Sequence, residues 1–250
     1  MNLADLASAQ GIFLLVTTFI AALLSTSVGA GGGLLLVGLA TVMPAPTVIP
    51  THACIMLAGS FFGWNLLRKF ANYALILPFV VGSIIGLGLA VPLVGQLSHQ
   101  ALALVLGSFL LFSTWGYYPA SLTQSRHYPW QCGLVTSFLS VFVGATRPML
   151  LTMFGRAFDD HKVVVATVNA CAALQHVGKI VVFVTIGASF IENWQIIGAL
   201  IVVTMLGSLC GRHLLIATGQ GTLKLITKLL ITALALNLIL DAMGWTLWGG

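Results

Sequence analysis

No residue with a formal charge occurs between Leu6 and Leu67, or again between Phe70 and Ser125. A soluble domain is roughly one quarter charged residues and uses them to keep its surface solvated. Here charged residues are 6% and hydrophobic residues 59% of the 250. A bilayer core about 30 Å thick is crossed by about 20 apolar residues in a helix, so each uncharged stretch can cross at least twice. Backbone polar groups in hydrocarbon must be satisfied internally, which leaves helices or a closed barrel. Barrel strands would alternate in polarity over about ten residues, whereas these runs are continuously apolar. The chain reads as an all-α integral membrane protein.

Eight spans are expected, at residues 10–42, 48–67, 73–94, 99–118, 130–153, 163–186, 194–217 and 222–245. The loops between them are short and leave no room for a soluble domain. The longest connection runs from Pro119 to Pro129 and carries Arg126 and His127. Trp64, Tyr73, Tyr117, Tyr118, Tyr128, Trp130, Trp194, Trp245 and Trp248 cluster near span ends, where an apolar ring and a polar handle are both satisfied. The residues before the first span include Asp5 and no Lys or Arg, so the basic start of a cleaved signal peptide is missing and the first span is expected to persist. Cys54, Cys132, Cys171 and Cys210 are far apart in apolar surroundings. They show no zinc or redox spacing and read as small buried hydrophobes.

The first span is too long for one straight helix, and it contains Gly29-Ala30-Gly31-Gly32-Gly33. Each helical glycine costs about 1 kcal/mol relative to alanine, so this run reads as a helix break or a close backbone approach. The pattern recurs. Gly29 to Gly33 falls opposite Gly144-Ala145-Thr146-Arg147-Pro148, and Thr51-His52-Ala53-Cys54 opposite Val168-Asn169-Ala170-Cys171. Asn72-Tyr73 matches Asn193-Trp194, and Gly82-Ser83-Ile84-Ile85-Gly86 matches Gly207-Ser208-Leu209-Cys210-Gly211. The separations drift from 115 through 117 and 121 to 125 residues. The sequence therefore predicts two four-helix repeats, 1–118 and 130–250, joined by 119–129, with the first helix of each interrupted. Four spans return the chain to its starting side, which makes the repeats parallel about an axis along the membrane normal. Arg156, Lys162, Arg212, Lys224 and Lys228 then oppose Arg68, Lys69 and Arg126, a count that favours non-cytoplasmic termini.

Broken helices expose backbone N–H groups and a partial positive charge, which suit an anion. Arg147 sits inside an apolar segment beside Pro148. A charge at that depth costs about 2.5–3.5 kcal/mol on insertion scales and should face the interior or a cavity, unless it snorkels from a span end. Its donor fork suits an oxyanion. In the sixth span Asn169, His176 and Lys179 follow three- and four-residue spacing and share one face, with Gln175 beside it. Asn169 and Gln175 could contact a ligand or bond to a neighbouring helix, and Lys179 could reach a ligand or snorkel to the interface. His52, opposite Asn169 in the repeat, reads equally as a site member, a proton carrier or a structural donor. The candidate binding residues are Gly29, Gly31, Gly32, Gly33, His52, Gly144, Thr146, Arg147, Asn169, Gln175, His176 and Lys179.

Enzyme readings find little support. The spans contain no paired carboxylates, no H-E-x-x-H metal motif and no phosphate-binding lysine loop. No cofactor or metal is expected. The net charge of +5 comes without the basic stripe that nucleic acid requires. A channel would show charged rings or a continuous polar stripe, and a carrier reads better.

The G-x-G-G-G run at Gly29 to Gly33, the Thr/His-Ala tract after Pro50, the Gly-Ser-x-x-Gly tracts and their repetition resemble the sulfite exporter TauE/SafE family over nearly the whole chain. The resemblance implies export of a small sulfur-containing anion, such as sulfite or an organosulfonate, across the bacterial inner membrane. It also implies that the glycine-rich segments of both halves meet around the path. Where the family's second motif is another glycine-rich G-x-G-G-x-P, this chain has Gly144-Ala145-Thr146-Arg147-Pro148, with bulk and charge replacing two glycines. The expected partners are the anion and the lipid bilayer, and a homo-oligomer is compatible with the sequence. The alternative reading is a non-transporting membrane scaffold, in which the polar groups only join helices.

Overall fold

The computed structural model describes residues 7–29, 31–94, 99–116, 128–144, 146–155, 158, 160–188, 194–217 and 225, 228–229, 232–233, 235–237, 239–240 and 242–245. Those residues are helices and short connections, with no strand among them. We label the helices α1 (Ala9–Ser27), α2 (Gly32–Ala40), α3 (Ala45–Leu67), α4 (Ile76–Ala90), α5 (His99–Trp115), α6 (Tyr128–Val143), α7 (Arg147–Phe154), α8 (His161–Thr185) and α9 (Trp194–Ala217). Among the described residues, five helical stretches are long and apolar enough to cross a membrane: Ala9–Ser27, Thr47–Phe70, Tyr73–Leu93, His161–Thr185 and Trp194–Ala217. Much of the expected span at 222–245 and most of the 119–129 connection lie outside the described residues. Tyr128 and Pro129 belong to the first turn of α6 rather than to the connection, since proline at a helix start lacks only a donor that would be unpaired anyway.

Both interruptions are present, and at both the chain reverses instead of resuming its course. Gly29 takes φ +87° and Gly144 takes φ +71°, a left-handed conformation that costs other residues roughly 1–2 kcal/mol. After the first turn α2 packs back along α1. A Cβ on Gly31 would strike Ala21 O and Ser25, and one on Gly38 would strike Thr17. After the second, α7 returns along α6, with Cys132 Sγ 3.5 Å from Met153 Sδ and the Tyr128 and Phe154 rings 6.3 Å apart. The two turns also touch each other's hairpin, Gly29 against Leu151 of α7 and Gly144 against Leu36 of α2.

This reversal corrects the expected parallel repeats. The parity count treated 10–42 and 130–153 as one crossing each, whereas α2 and α7 add a return leg to each half. Helix directions follow from the contacts. Gly59 and Gly63 of α3 lie against Thr204 of α9 and Thr26 of α1, and Gly207 and Gly211 of α9 press on the backbone of Phe19 and Leu23 of α1, so α1, α3 and α9 run one way. Gly82 and Gly86 of α4 press on Trp130 and Leu134 of α6, and Gly178 of α8 meets Leu87 of α4. From α3 to α8 the order is reversed, His52 facing His176 and Gly63 facing Asn169. Thus α4, α6 and α8 run the opposite way, and the opening helices α1 and α6 are antiparallel.

The Gly-Ser-x-x-Gly tracts explain the two broadest lateral contacts, α4 with α6 and α1 with α9. In membranes small residues let backbones approach without a side chain between them. A Cβ at Gly86 would lie 2.2 Å from Leu134 O and one at Gly211 2.4 Å from Leu23 O. The remaining broad contact joins α3 to α8. Leu14, Leu39, Ala90, Phe183 and Ile196 form an apolar cluster toward one end. Leu67, Val165 and Leu215 form one at the other. Arg68, Lys69, Lys162, Arg212 and Lys228 all gather at this second end: Lys162 Nζ lies 5.8 Å from the Phe70 ring and Lys228 Nζ 5.2 Å from that of Trp115. The Arg68–Lys69 pair therefore lies opposite Ser8, not on its side as the parallel count requires.

Candidate functional site

The two turns meet between α3 and α8, and four side chains from these helices and from α7 tie them together. His52 of α3 directs Nε2 to Gly32 O at 3.0 Å, and its Nδ1 lies 3.8 Å from where a Gly144 Cβ would stand. Lys179 of α8 donates to Gly144 O at 3.1 Å. Thr146 donates to Gln175 Oε1 at 3.0 Å, and Gln175 Nε2 donates to Thr136 and Ser137 at 3.2 and 3.0 Å. Arg147 Nη2 donates to Ser60 Oγ, which in turn donates to Met56 O. The His52 and His176 rings stand edge to face with centroids 6.0 Å apart.

His52, Thr146, Arg147, Gln175, His176 and Lys179 are all at most 3% exposed, so none of them snorkels to a water interface. Arg147 Nε and Nη1, His52 Nδ1 and both His176 ring nitrogens have no partner among the described residues. Buried polar atoms are normally hydrogen-bonded, so a concentration of orphans at one place marks a site. The charge balance is equally unusual. Arg147 and Lys179 are buried cations, while the acids of the whole sequence stand only at positions 5, 159, 160, 192 and 241. Of these Asp160 is described, and it is an exposed N-cap of α8 donating no charge to the interior. Buried cations ordinarily have an anionic partner. At the same place α2 and α7 begin with no side-chain cap, at Gly31 and Thr146, which leaves their N-terminal N–H groups and partial positive charge directed at the junction.

The expected residues separate into two groups. Gly32, His52, Gly144, Thr146, Arg147, Gln175, His176 and Lys179 come together. Gly29 and Gly31 shape the reversal and pack against Leu151 and Ala21, and Gly33 lies half-buried in the first turn of α2. Asn169 faces Gly63, near Thr26, about two helical turns along α8 from His176. Its buried Nδ2 has no partner among the described residues. Ser60, Thr136 and Ser137 were not expected from the sequence. Their only signal is a hydroxyl inside an apolar run, and membrane helices commonly bond such hydroxyls to their own backbone, as Thr136 does with Cys132 O.

Helical hairpins that converge on buried polar groups among membrane-length apolar helices are an arrangement that transporter sites use. The family model for the sulfite exporter TauE/SafE matches residues 14–238, and the chain belongs to that family. Comparison with curated proteins and with solved structures gives no significant match.

Proposed function

We propose that the protein is a secondary carrier in the bacterial inner membrane that exports a small sulfur-containing anion, sulfite or an organosulfonate, held between the two re-entrant turns. The observation that carries this reading is the pair Arg147 and Lys179, buried with no buried carboxylate among the described residues. An anion supplies the missing charge, the uncapped starts of α2 and α7 supply backbone donors, and the free Nε and Nη1 of Arg147 supply a fork that matches an oxyanion. A scaffold would gain nothing from that arrangement.

Two further assignments belong to this reading. The halves are 1–118 and 128–250, inverted rather than parallel. Support comes from the reciprocal contacts Gly29–Leu151 and Gly144–Leu36, and from the crossed packing of α1 on α9 and α6 on α4. The end bearing Arg68, Lys69, Lys162, Arg212 and Lys228 faces the cytoplasm, following the bias of Lys and Arg to cytoplasmic loops, which leaves Ser8 outside. The test is anion flux in proteoliposomes made from the full chain, with sulfite, thiosulfate and a sulfonate as substrates. If none of them binds or moves, the carrier reading fails.

A further inference from the structure

His52 touches both turns, and its geometry fixes where its proton lies. A carbonyl oxygen only accepts, so the Nε2 that faces Gly32 O carries the hydrogen. In the neutral ring Nδ1 is then a bare lone pair. That atom is buried, has no partner among the described residues, and looks toward Gly144. Beside it the ammonium of Lys179 sits on Gly144 O, and the same buried cluster holds the unpartnered Nε and Nη1 of Arg147. His176 is the other titratable group facing it. Helices α1 and α2 contribute none, and Arg212 and His213 of α9 lie farther toward the charged end, beside the Gly211–Leu23 contact.

An oxyanion carrying lone pairs alone satisfies the Arg147 donors but meets Nδ1 lone pair to lone pair. An oxyanion that keeps one acidic hydrogen satisfies both. We propose that the site takes its anion together with one proton, shared between an anion oxygen and His52 Nδ1. The inference rests on the transport reading above and adds the proton to it. The hydrogen sits on the anion as an O–H that donates to Nδ1, or on the ring as an N–H that donates to the anion. These forms contain the same atoms and the same net charge, and they differ only in where the hydrogen lies along one hydrogen bond. The substrate class is therefore a small oxyanion with a weakly acidic O–H, of which bisulfite is an example. Of the cargoes proposed above, this selects sulfite and excludes fully ionised sulfonates. Each exported anion also removes one acid equivalent.

The test uses the full chain in proteoliposomes with a trapped pH dye, comparing sulfite with methanesulfonate, which has three similar oxygens and no acidic hydrogen. His52→Gln places an amide N–H where Nε2 stands, keeping the Gly32 contact, and removes the Nδ1 acceptor. Wild-type protein is expected to move sulfite at least about tenfold faster than methanesulfonate, and the variant to shrink that ratio by about tenfold, the worth of one buried hydrogen bond. The size difference between the anions is common to both proteins and cancels. With the lumen set well above the pKa of bisulfite, so that the carried proton is released, sulfite entry through wild-type protein should acidify it by about one proton per anion. Unchanged or rising lumen pH overturns the inference, as does an unaltered ratio in the variant or methanesulfonate moving as fast as sulfite. If neither anion moves through wild-type protein and thiosulfate does not either, the transport reading itself falls with it.

Discussion

Replacing Arg147 with methionine is expected to move two measurable quantities in opposite directions. The arginine is 3% exposed, with one hydrogen bond, to Ser60, and two unpartnered nitrogens. Holding a cation at such depth costs about 2.5–3.5 kcal/mol, and apolar replacements of buried charges are often stabilising by about 1–4 kcal/mol. Ser60 keeps its own bond to Met56 O, so the substitution strands no hydroxyl. At roughly 2–4 °C per kcal/mol for a chain of this size, the empty variant should melt several degrees higher. Anion binding should suffer: two charge-assisted hydrogen bonds of about 1.5–3 kcal/mol each disappear, so affinity falls by at least about 100-fold. The assay is thermal unfolding of purified protein with and without sulfite. Saturation at about 100 times Kd contributes about 2.7 kcal/mol, so wild type shifts upward and the Met variant stays flat. Arg147→Lys keeps the charge without the fork and should fall between. A Met variant that melts lower, or whose sulfite shift equals that of wild type, would refute the assignment of Arg147 as an uncompensated anion ligand.

Gly86→Val should abolish folded yield in a detergent-solubility assay, because its Cβ would lie 2.2 Å from Leu134 O, whereas Gly88→Ala, with nothing within 4 Å of the new Cβ, should be neutral or stabilising by up to about 1 kcal/mol. Gln175→Leu removes the bonds to Thr146, Thr136 and Ser137 and should lower the melting temperature by the equivalent of about 1–3 kcal/mol, with anion affinity lost as Thr146 is released. Cysteines introduced at Ser8 and Asn72 should react with an impermeant maleimide from opposite sides of the membrane. Labelling of both from one side would restore the parallel topology and refute the fold-back.

The membrane class, the helical content and both interruptions were legible in the sequence, because uncharged length and glycine runs report directly on solvation and backbone freedom. Direction at the interruptions was not. Val28 to Gly31 can kink a helix or reverse it, and the apolar composition of α2 suits either course. That single ambiguity carried the parity error and put Arg68 and Lys69 on the wrong side. Arg147, Gln175, His176 and Lys179 were recognisable as polar groups in apolar runs. Their convergence with His52 depends on α3 and α8 packing antiparallel at one crossing, which spacing within α8 alone does not reveal. Asn169 shared the expected helical face, yet α8 carries it beyond the crossing to Gly63.

The one-sided distribution of surface charge also gives the molecule an electrical polarity for its cargo. Every described Lys or Arg outside the buried site stands at the end holding Leu67 and Trp115. Small anions are drawn to such a surface within a Debye length of about 8 Å at physiological salt, so they are concentrated at that mouth. At the opposite end the described residues offer no cation to retain a departing anion. Under the proposed transport, capture is favoured at the charged end, and no described cation hinders release at the other. This asymmetry in rates is independent of any driving gradient, and it should weaken as ionic strength rises.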